Sequence, residues 1–239
     1  MTRSYGRAAD QARPVECVPD FVPPASGSAL IAVGRTQVIC TASVEPGVPR
    51  WLAGKGRGWV TAEYGMLPAS TGQRKARDAT RLHPDGRTVE IQRLIGRALR
   101  GVVDLEALGE RTVYLDCDVL VADGGTRCAA ITGAYVAFAR AMRRLLADEV
   151  IARSPVAASV AAISCGIVDG VPLLDLDYSE DSVAEVDANV VMTDAGGLLE
   201  VQATAERTPL SRTHLDDLLA LAAGGIAELH AVQAAAIER

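Results

Sequence analysis

Two β-branched, apolar runs near the start of the chain, Ser28 to Val33 and Thr36 to Val44, are joined by Gly34-Arg35 and read as a tight hairpin that Pro46 and Pro49 end. Residues 53–88 are rich in Gly, Arg, Ser and Thr with little periodicity, which predicts mostly loop and a short strand near Gly58 to Ala62. The period then changes. From Gly86 to Arg100 a helix places Ile91, Leu94, Ile95 and Ala98, with Val102 beyond, on one face, and Arg87, Glu90, Arg93, Arg97 and Arg100 on an adjacent stripe. A short connection through Leu105 to Glu110 leads to a strand over Thr112 to Val121 and a helix over Ala129 to Ala147. The second half repeats the layout loosely, without literal repeat. Val156 to Val168 and Val171 to Leu176 form a hairpin at Asp169-Gly170, and Asn189 to Thr193 and Leu198 to Thr204 form another around Gly196-Gly197. Ser211 is a good N-cap for a closing helix over residues 212–238, with Leu215, Leu218, Leu219, Ala222, Ile226 and Leu229 as its stripe. Hairpins each followed by a helix predict an α+β fold of mixed α/β layers, and residues 1–239 are read as one large domain.

The strand-to-helix junction holds Asp123-Gly124-Gly125-Thr126-Arg127. Two glycines let the backbone turn sharply and aim N–H groups at an anion; the next helix adds its positive end, Thr126 a hydroxyl and Arg127 a planar fork of donors. Phosphate is the natural guest, although Gly-Gly before a helix is also ordinary turn chemistry. The arginine stripe, under-neutralised by Glu90 alone, makes an external polyanion a reasonable partner, against the plainer reading of a solvated face.

Net charge at first argues the other way, at −6 from 24 Lys+Arg and 30 Asp+Glu. The balance is uneven: residues 1–162 carry 21 basic and 16 acidic side chains, net +5, and residues 163–239 carry 3 and 14, net −11. Aromatic content of 4% speaks against a platform of stacked rings, so any nucleic-acid contact is expected to be electrostatic and directed at the backbone. Arg74, Lys75, Arg77 and Arg81 sit in the irregular stretch against Asp78 and Asp85, either simply solvated or part of such a contact. Five cysteines without Cys-x-x-Cys spacing point to a reducing compartment, with Cys40, Cys117 and Cys165 as core residues. Three scattered histidines exclude zinc motifs of the usual spacing. With no apolar run of spanning length and no signal-peptide core, a cytoplasmic protein without membrane contact is expected.

Asp175, Asp177, Glu180, Asp181, Glu185 and Asp187 crowd one connection between strands. Surface acids on a loop are commonplace, but oxygen-rich sites also select Mg²⁺ or Mn²⁺, and magnesium needs only one or two protein carboxylates beside phosphate and water. A basic helix, an anion turn and a carboxylate pair are together the parts for chemistry at a phosphodiester. No Ser-His or Cys-His pairing stands out, so the nucleophile is expected to come from outside the protein.

Several blocks in register, Gly58-Trp59-Val60-Thr61-Ala62-Glu63-Tyr64-Gly65-Met66-Leu67-Pro68, the helix Gly86 to Arg100, Asp116-Cys117-Asp118-Val119-Leu120 through Arg127, and Glu180-Asp181-Ser182 through Asp187-Ala188-Asn189-Val190, closely resemble the bacterial ribonuclease PH family. The resemblance implies a phosphate-dependent 3′→5′ exoribonuclease, a tRNA nucleotidyltransferase that trims tRNA precursors and acts on ribosomal RNA. Inorganic phosphate would be the co-substrate, nucleoside diphosphates the product, and nucleotide addition the reverse reaction. It also implies a pseudo-symmetric pair of βαβ-type halves assembled as a homo-hexameric ring, a trimer of dimers. By resemblance Arg87, Gly125, Thr126 and Arg127 fall on the phosphate site, Asp181 and Asp187 on an acidic pair that holds magnesium or moves a proton, Arg74 and Arg77 on a tRNA-gripping loop. Arg93, Arg97 and Arg100 fall on a helix facing RNA or a neighbouring subunit. The N-terminal pattern departs from the family: Gly6-Arg7 and Arg13-Pro14 are kept, with Gln11-Ala12 before the latter, and Ala69 stands where many relatives have a basic residue. The rival readings are a catalytically silent ring subunit and a hydrolytic nuclease.

Overall fold

The computed structural model describes residues 3–77, 85–206 and 209–239. In chain order these form β1 (Val15–Pro19), β2 (Gly27–Val33), β3 (Thr36–Pro46), β4 (Trp59–Met66), α1 (Gly86–Arg100), α2 (Leu105–Leu108), β5 (Arg111–Val121), α3 (Thr126–Ala147), β6 (Val160–Val168), β7 (Val171–Leu174), α4 (Tyr178–Asp181), β8 (Val186–Thr193), β9 (Leu198–Ala205) and α5 (Arg212–Glu238). The first sheet has the order β1-β2-β3-β5-β4 and is antiparallel except for the β4–β5 pair, whose parallel crossover runs through α1. The second, β7-β6-β8-β9, is antiparallel throughout; β7 and β8 therefore run in the same direction on either side of β6, linked through α4. Each half thus has a β-α-β connection, adjacent in the first and split in the second.

Helix α3 joins the halves. Its residues from Cys128 to Ala139 are all buried, because one side packs on β2, β3 and β5 and the other on β6 and α5. Ala, Gly, Cys and Thr make a surface that two layers can approach closely, which an amphipathic stripe would not. One core gathers Ile31, Val38, Val60, Ile91, Leu94, Leu115 and Phe138 under α1 and α3; a second lies between β6, β8 and α5 through Ile163, Cys165, Val190, Leu218, Ala222 and Ile226. Buried Gln233 ties the layers by donating Nε2 to Thr132 O (3.0 Å) and Val160 O (2.9 Å). By length and apolar composition α5 is long enough to cross a membrane, yet its Leu218-Ala222-Ile226-Leu229 stripe packs on the second sheet.

The departures from expectation have local causes. Strand β1 is masked in the sequence by Pro14 and Pro19, which an edge strand tolerates. Helices α2 and α4 are one turn each, held by the caps Asp104 and Asp177 and not by periodicity. Strand β4 continues to Met66, four residues past Ala62, because parallel pairing with β5 supports it. Residues 156–159 do not extend β6; Val156 bridges Val103 and Ala157 N donates to Val102 O.

Candidate active site

The β3–β5 ladder shifts register between Gln37 and Val38, beside the point where the chain leaves β5. There Thr36 Oγ1 donates to Gly124 O (2.7 Å) and accepts from Asp123 N (2.9 Å), fixing the turn. Gly124 (φ +77°) and Gly125 (φ +67°) are both left-handed, and a Cβ at Gly124 would lie 2.5 Å from Leu176 O. Helix α3 starts directly at Thr126, so its first N–H groups, which lack intrahelical partners, face the mouth of the turn. Gly124→Ala combines backbone strain with a clash against Leu176 and Asp177, so it is expected to lower apparent phosphate affinity by an order of magnitude or more, roughly 1.4 kcal/mol per tenfold. Phosphate titration by calorimetry on the folded variant reads this.

Arg87 comes from the first turn of α1, a helix that Asp85 caps through Arg87 N (3.3 Å). Tyr64, buried on β4, donates its hydroxyl to Thr126 Oγ1 (2.9 Å) and orients the side chain the turn presents. These groups border an open cavity of about 690 Å³ whose walls include Arg87, Gly125, Thr126, Tyr178 and Asp181, with Thr71, Gly72 and Gln73 along one rim.

The acidic connection divides in two. Asp175, Asp177 and Glu180 are buried and face the N-terminal segment: Arg13 pairs with Asp175 (2.7 Å), and Arg7 (3.1 Å) and Arg3 (2.7 Å) with Glu180. Asp177 and Glu180 form a capping box on α4. Burial opposes the charge on Asp177, but hydrogen bonds from Ser179, Ser4 and the Glu180 amide prevail and hold its pKa down to about 2. Asp181 and Asp187 go the other way. Asp181 is exposed at the cavity, yet desolvation by the protein packed around it raises its carboxyl above the usual range, against the fields of Arg87 and Arg127. Asp187 is raised by burial and then by Asp181, again against Arg127 and Arg87. Five carboxylates of this connection thus split into a structural set of three, tied to the N-terminal arginines and the α4 cap, and a pair whose pKa values are raised.

Of the site residues expected from sequence, Arg87, Gly125, Thr126 and Asp181 line the cavity; Arg127 and Asp187 are not among its walls, but the charge of Arg127 reaches both aspartates and that of Asp181 reaches Asp187. Arg127 is anchored on one edge, Nη1 donating to Gln202 Oε1 (2.9 Å) and Glu90 Oε1 (3.2 Å). Arg74 and Arg77 are exposed just beyond the Thr71–Gln73 rim; Arg81 lies outside the described residues. Arg93, Arg97 and Arg100 are not gathered there and border a separate groove beside β4.

Part of this helix face is engaged within the chain: Arg100 Nη1 donates to Val60 O (2.9 Å) and its guanidinium lies 4.4 Å from the Trp59 ring centre, while Arg97 pairs with Glu200 of β9 (2.9 Å). A Ser-His contact also exists, Ser159 Oγ to His230 Nδ1 at 3.0 Å, but it is absent from the walls of the cavity and His230 Nε2 is buried without a partner. Sequence reasoning missed the roles of Arg3, Arg7, Arg13, Thr36 and Tyr64. The Asp177-x-x-Glu180 spacing is itself a capping-box signal that would have removed two acids from the metal candidates.

A helix N-terminus, arginines from two elements and a carboxylate pair above the usual range are set together in two α+β layers, an arrangement whose chemistry suits an anionic ligand. The chain belongs to the 3′ exoribonuclease family: that family's domain 1 matches residues 11–143 and its domain 2 residues 158–225. It is similar to the crystal structure of rice (Oryza sativa) Rrp46, at 19% identity over 98% of this chain and 100% of that one, with a TM-score of 0.79. It is similar also to a chain of the Archaeoglobus fulgidus exosome with RNA bound to the active site, at 23% identity over 96% and 91% (TM-score 0.80). A chain of an archaeal exosome core matches at 24% identity over 96% and 90% (TM-score 0.75). At these identities the likeness is one of fold.

Proposed function

We propose that this chain is a phosphate-dependent 3′→5′ exoribonuclease that transfers the last nucleotide of an RNA to inorganic phosphate, with 3′ tails of tRNA precursors as its main substrate. The observation that carries the reading is the convergence of Arg87 from α1, Gly125 and Thr126 of the turn, and Asp181 on one cavity, with Arg127 and Asp187 in electrostatic reach of them. A free orthophosphate held on the α3 N-terminus would attack the phosphorus of the terminal linkage; the P–O3′ bond breaks, a nucleoside diphosphate leaves, and the shortened RNA keeps its 3′ oxygen as a hydroxyl. Arg87 and Arg127 neutralise charge that builds on the non-bridging oxygens. A carboxyl of the raised pair can supply the proton that the departing O3′ needs.

Among the described residues no group of three or more His, Cys, Asp or Glu is placed to hold a metal. Asp181 and Asp187, coupled strongly enough for the first to raise the carboxyl of the second, still fit Mg²⁺ or Mn²⁺, which they would hold and which would supply charge stabilisation at the departing oxygen. Assembly into a homo-hexameric ring and a cytoplasmic location complete the proposal; five free thiols, all buried, suit a reducing compartment.

The test is incubation of the purified protein with a 3′-tailed tRNA and with an unstructured oligonucleotide, with and without phosphate and magnesium, followed by identification of the nucleotide released. Diphosphates that appear only with phosphate are expected, faster from the tRNA. Monophosphates released without phosphate would instead make the protein a hydrolase, and binding without shortening a silent ring subunit.

A further inference from the structure

Arg13 is not among the walls of the candidate site's cavity, yet its guanidinium lies between the two halves of the site. Its side chain is fully buried. The Arg13 amide and Nε both donate to Asp175 Oδ2 (2.8 Å each) and Nη2 to Asp175 Oδ1 (2.7 Å), so one planar fork holds the first acid of the connection. The rest of the fork turns the other way: Nη1 donates to Asp123 O, and Nη2 is 3.5 Å from Gly124 O and 3.4 Å from Leu176 O. Asp175 itself has a left-handed backbone (φ +53°), a strained conformation for a residue with a side chain that its surroundings must hold. Arg7 secures the same segment through Asp175 O (2.7 Å) and Glu180.

A buried ion pair of this kind is weak evidence for net stability, because desolvation offsets most of the attraction; what it does impose is geometry. Two residues after Asp123 comes the phosphate turn, and six after Asp175 comes Asp181. We propose that Arg13 is a positioning residue which sets the separation between the phosphate-binding turn and the carboxylate pair, so that an orthophosphate and the terminal linkage of an RNA lie within reacting distance. This rests on the phosphorolytic reading above and adds the part of the chain that holds its two halves in register. Lysine at position 13 would keep the charge but not the fork, since a single ammonium cannot span Asp175 and the turn carbonyls together.

The experiment compares wild type, Arg13→Lys and Thr36→Val in the full chain. Each is checked for folding by circular dichroism, titrated with inorganic phosphate by calorimetry, titrated with RNA in the absence of phosphate, and assayed for kcat and KM. Arg13→Lys is expected to lower kcat/KM for phosphate by about 10²-fold, as small misplacements of reacting groups do, and Thr36→Val by about tenfold, with RNA affinity within about twofold of wild type. Phosphate parameters unchanged in a folded variant, or RNA and phosphate binding lost in equal measure, would overturn the positioning role while wild-type phosphorolysis left the proposed function standing. Wild-type protein that neither binds phosphate nor releases diphosphates would sink both. Should Arg13→Lys fail to fold, Asp175→Asn, which weakens the same fork from its other end, takes its place: a loss confined to the phosphate parameters supports the role, and unchanged parameters in the folded variant overturn it.

Discussion

Replacing Arg127 by alanine is expected to slow phosphate-dependent nucleotide release by about 10²–10³-fold, the loss typical for removal of one preorganised donor to a developing charge. RNA affinity without phosphate should change by less than about threefold, since exposed arginines elsewhere on the surface share that task and one contact to a polyanion contributes little alone. The asymmetry follows from where Arg127 stands. It follows the phosphate turn directly, its Nη1 is already anchored on Gln202 and Glu90, and its field reaches both Asp181 and Asp187. Glu90→Gln, which weakens the anchor and keeps the cation, should give a much smaller loss. The measurement is kcat and KM for phosphate beside an RNA titration; equal losses in both would remove Arg127 from the chemistry.

Asp187→Asn is expected to do two things that rarely go together: cost about 10²-fold or more in rate, as loss of a proton-transfer group does, and raise thermal stability by about 2–4 °C for each kcal/mol of relieved strain. The sign comes from linkage. Burial, then Asp181, holds the folded Asp187 carboxyl above its unfolded range, so its contribution to stability is fully present below an unfolded pKa of about 3.9 and is lost as pH rises through the folded value. Near neutrality the ionised carboxylate therefore opposes folding, and asparagine removes that opposition. Asp177 behaves in reverse: with a folded pKa of about 2 it stabilises above the unfolded value and loses that contribution as pH falls toward 2. Calorimetric melting at neutral pH beside the phosphorolysis assay tests the pair of effects. A variant both inactive and less stable would mean that Asp187 supports the fold more than the reaction.

The opposite behaviour of two aspartates ten residues apart shows how the site divides between sequence and structure. The glycine turn was legible because its geometry is local: glycines with left-handed backbone, a threonine and an arginine at a helix start need only neighbours in the chain. The arginine stripe on α1 was legible as a stripe, but not in its uses. Arg87 reaches the cavity, Arg97 meets a glutamate from a strand 103 residues away, and Arg100 folds back on Trp59 and Val60. A helical period assigns residues to a face; which neighbour that face meets depends on strand order.

What the sequence determined by itself was the set of long elements, the two-layered fold class, the double-glycine turn before α3 and the family, since periodicity, capping and motif spacing are properties of contiguous residues. Only the tertiary structure decided which acids of the crowded connection are spent on Arg3, Arg7 and Arg13 and which are left at the cavity. That partition depends on burial and on charges brought from more than 100 residues away, and a carboxylate's proton affinity is set by such surroundings, not by its place in the chain.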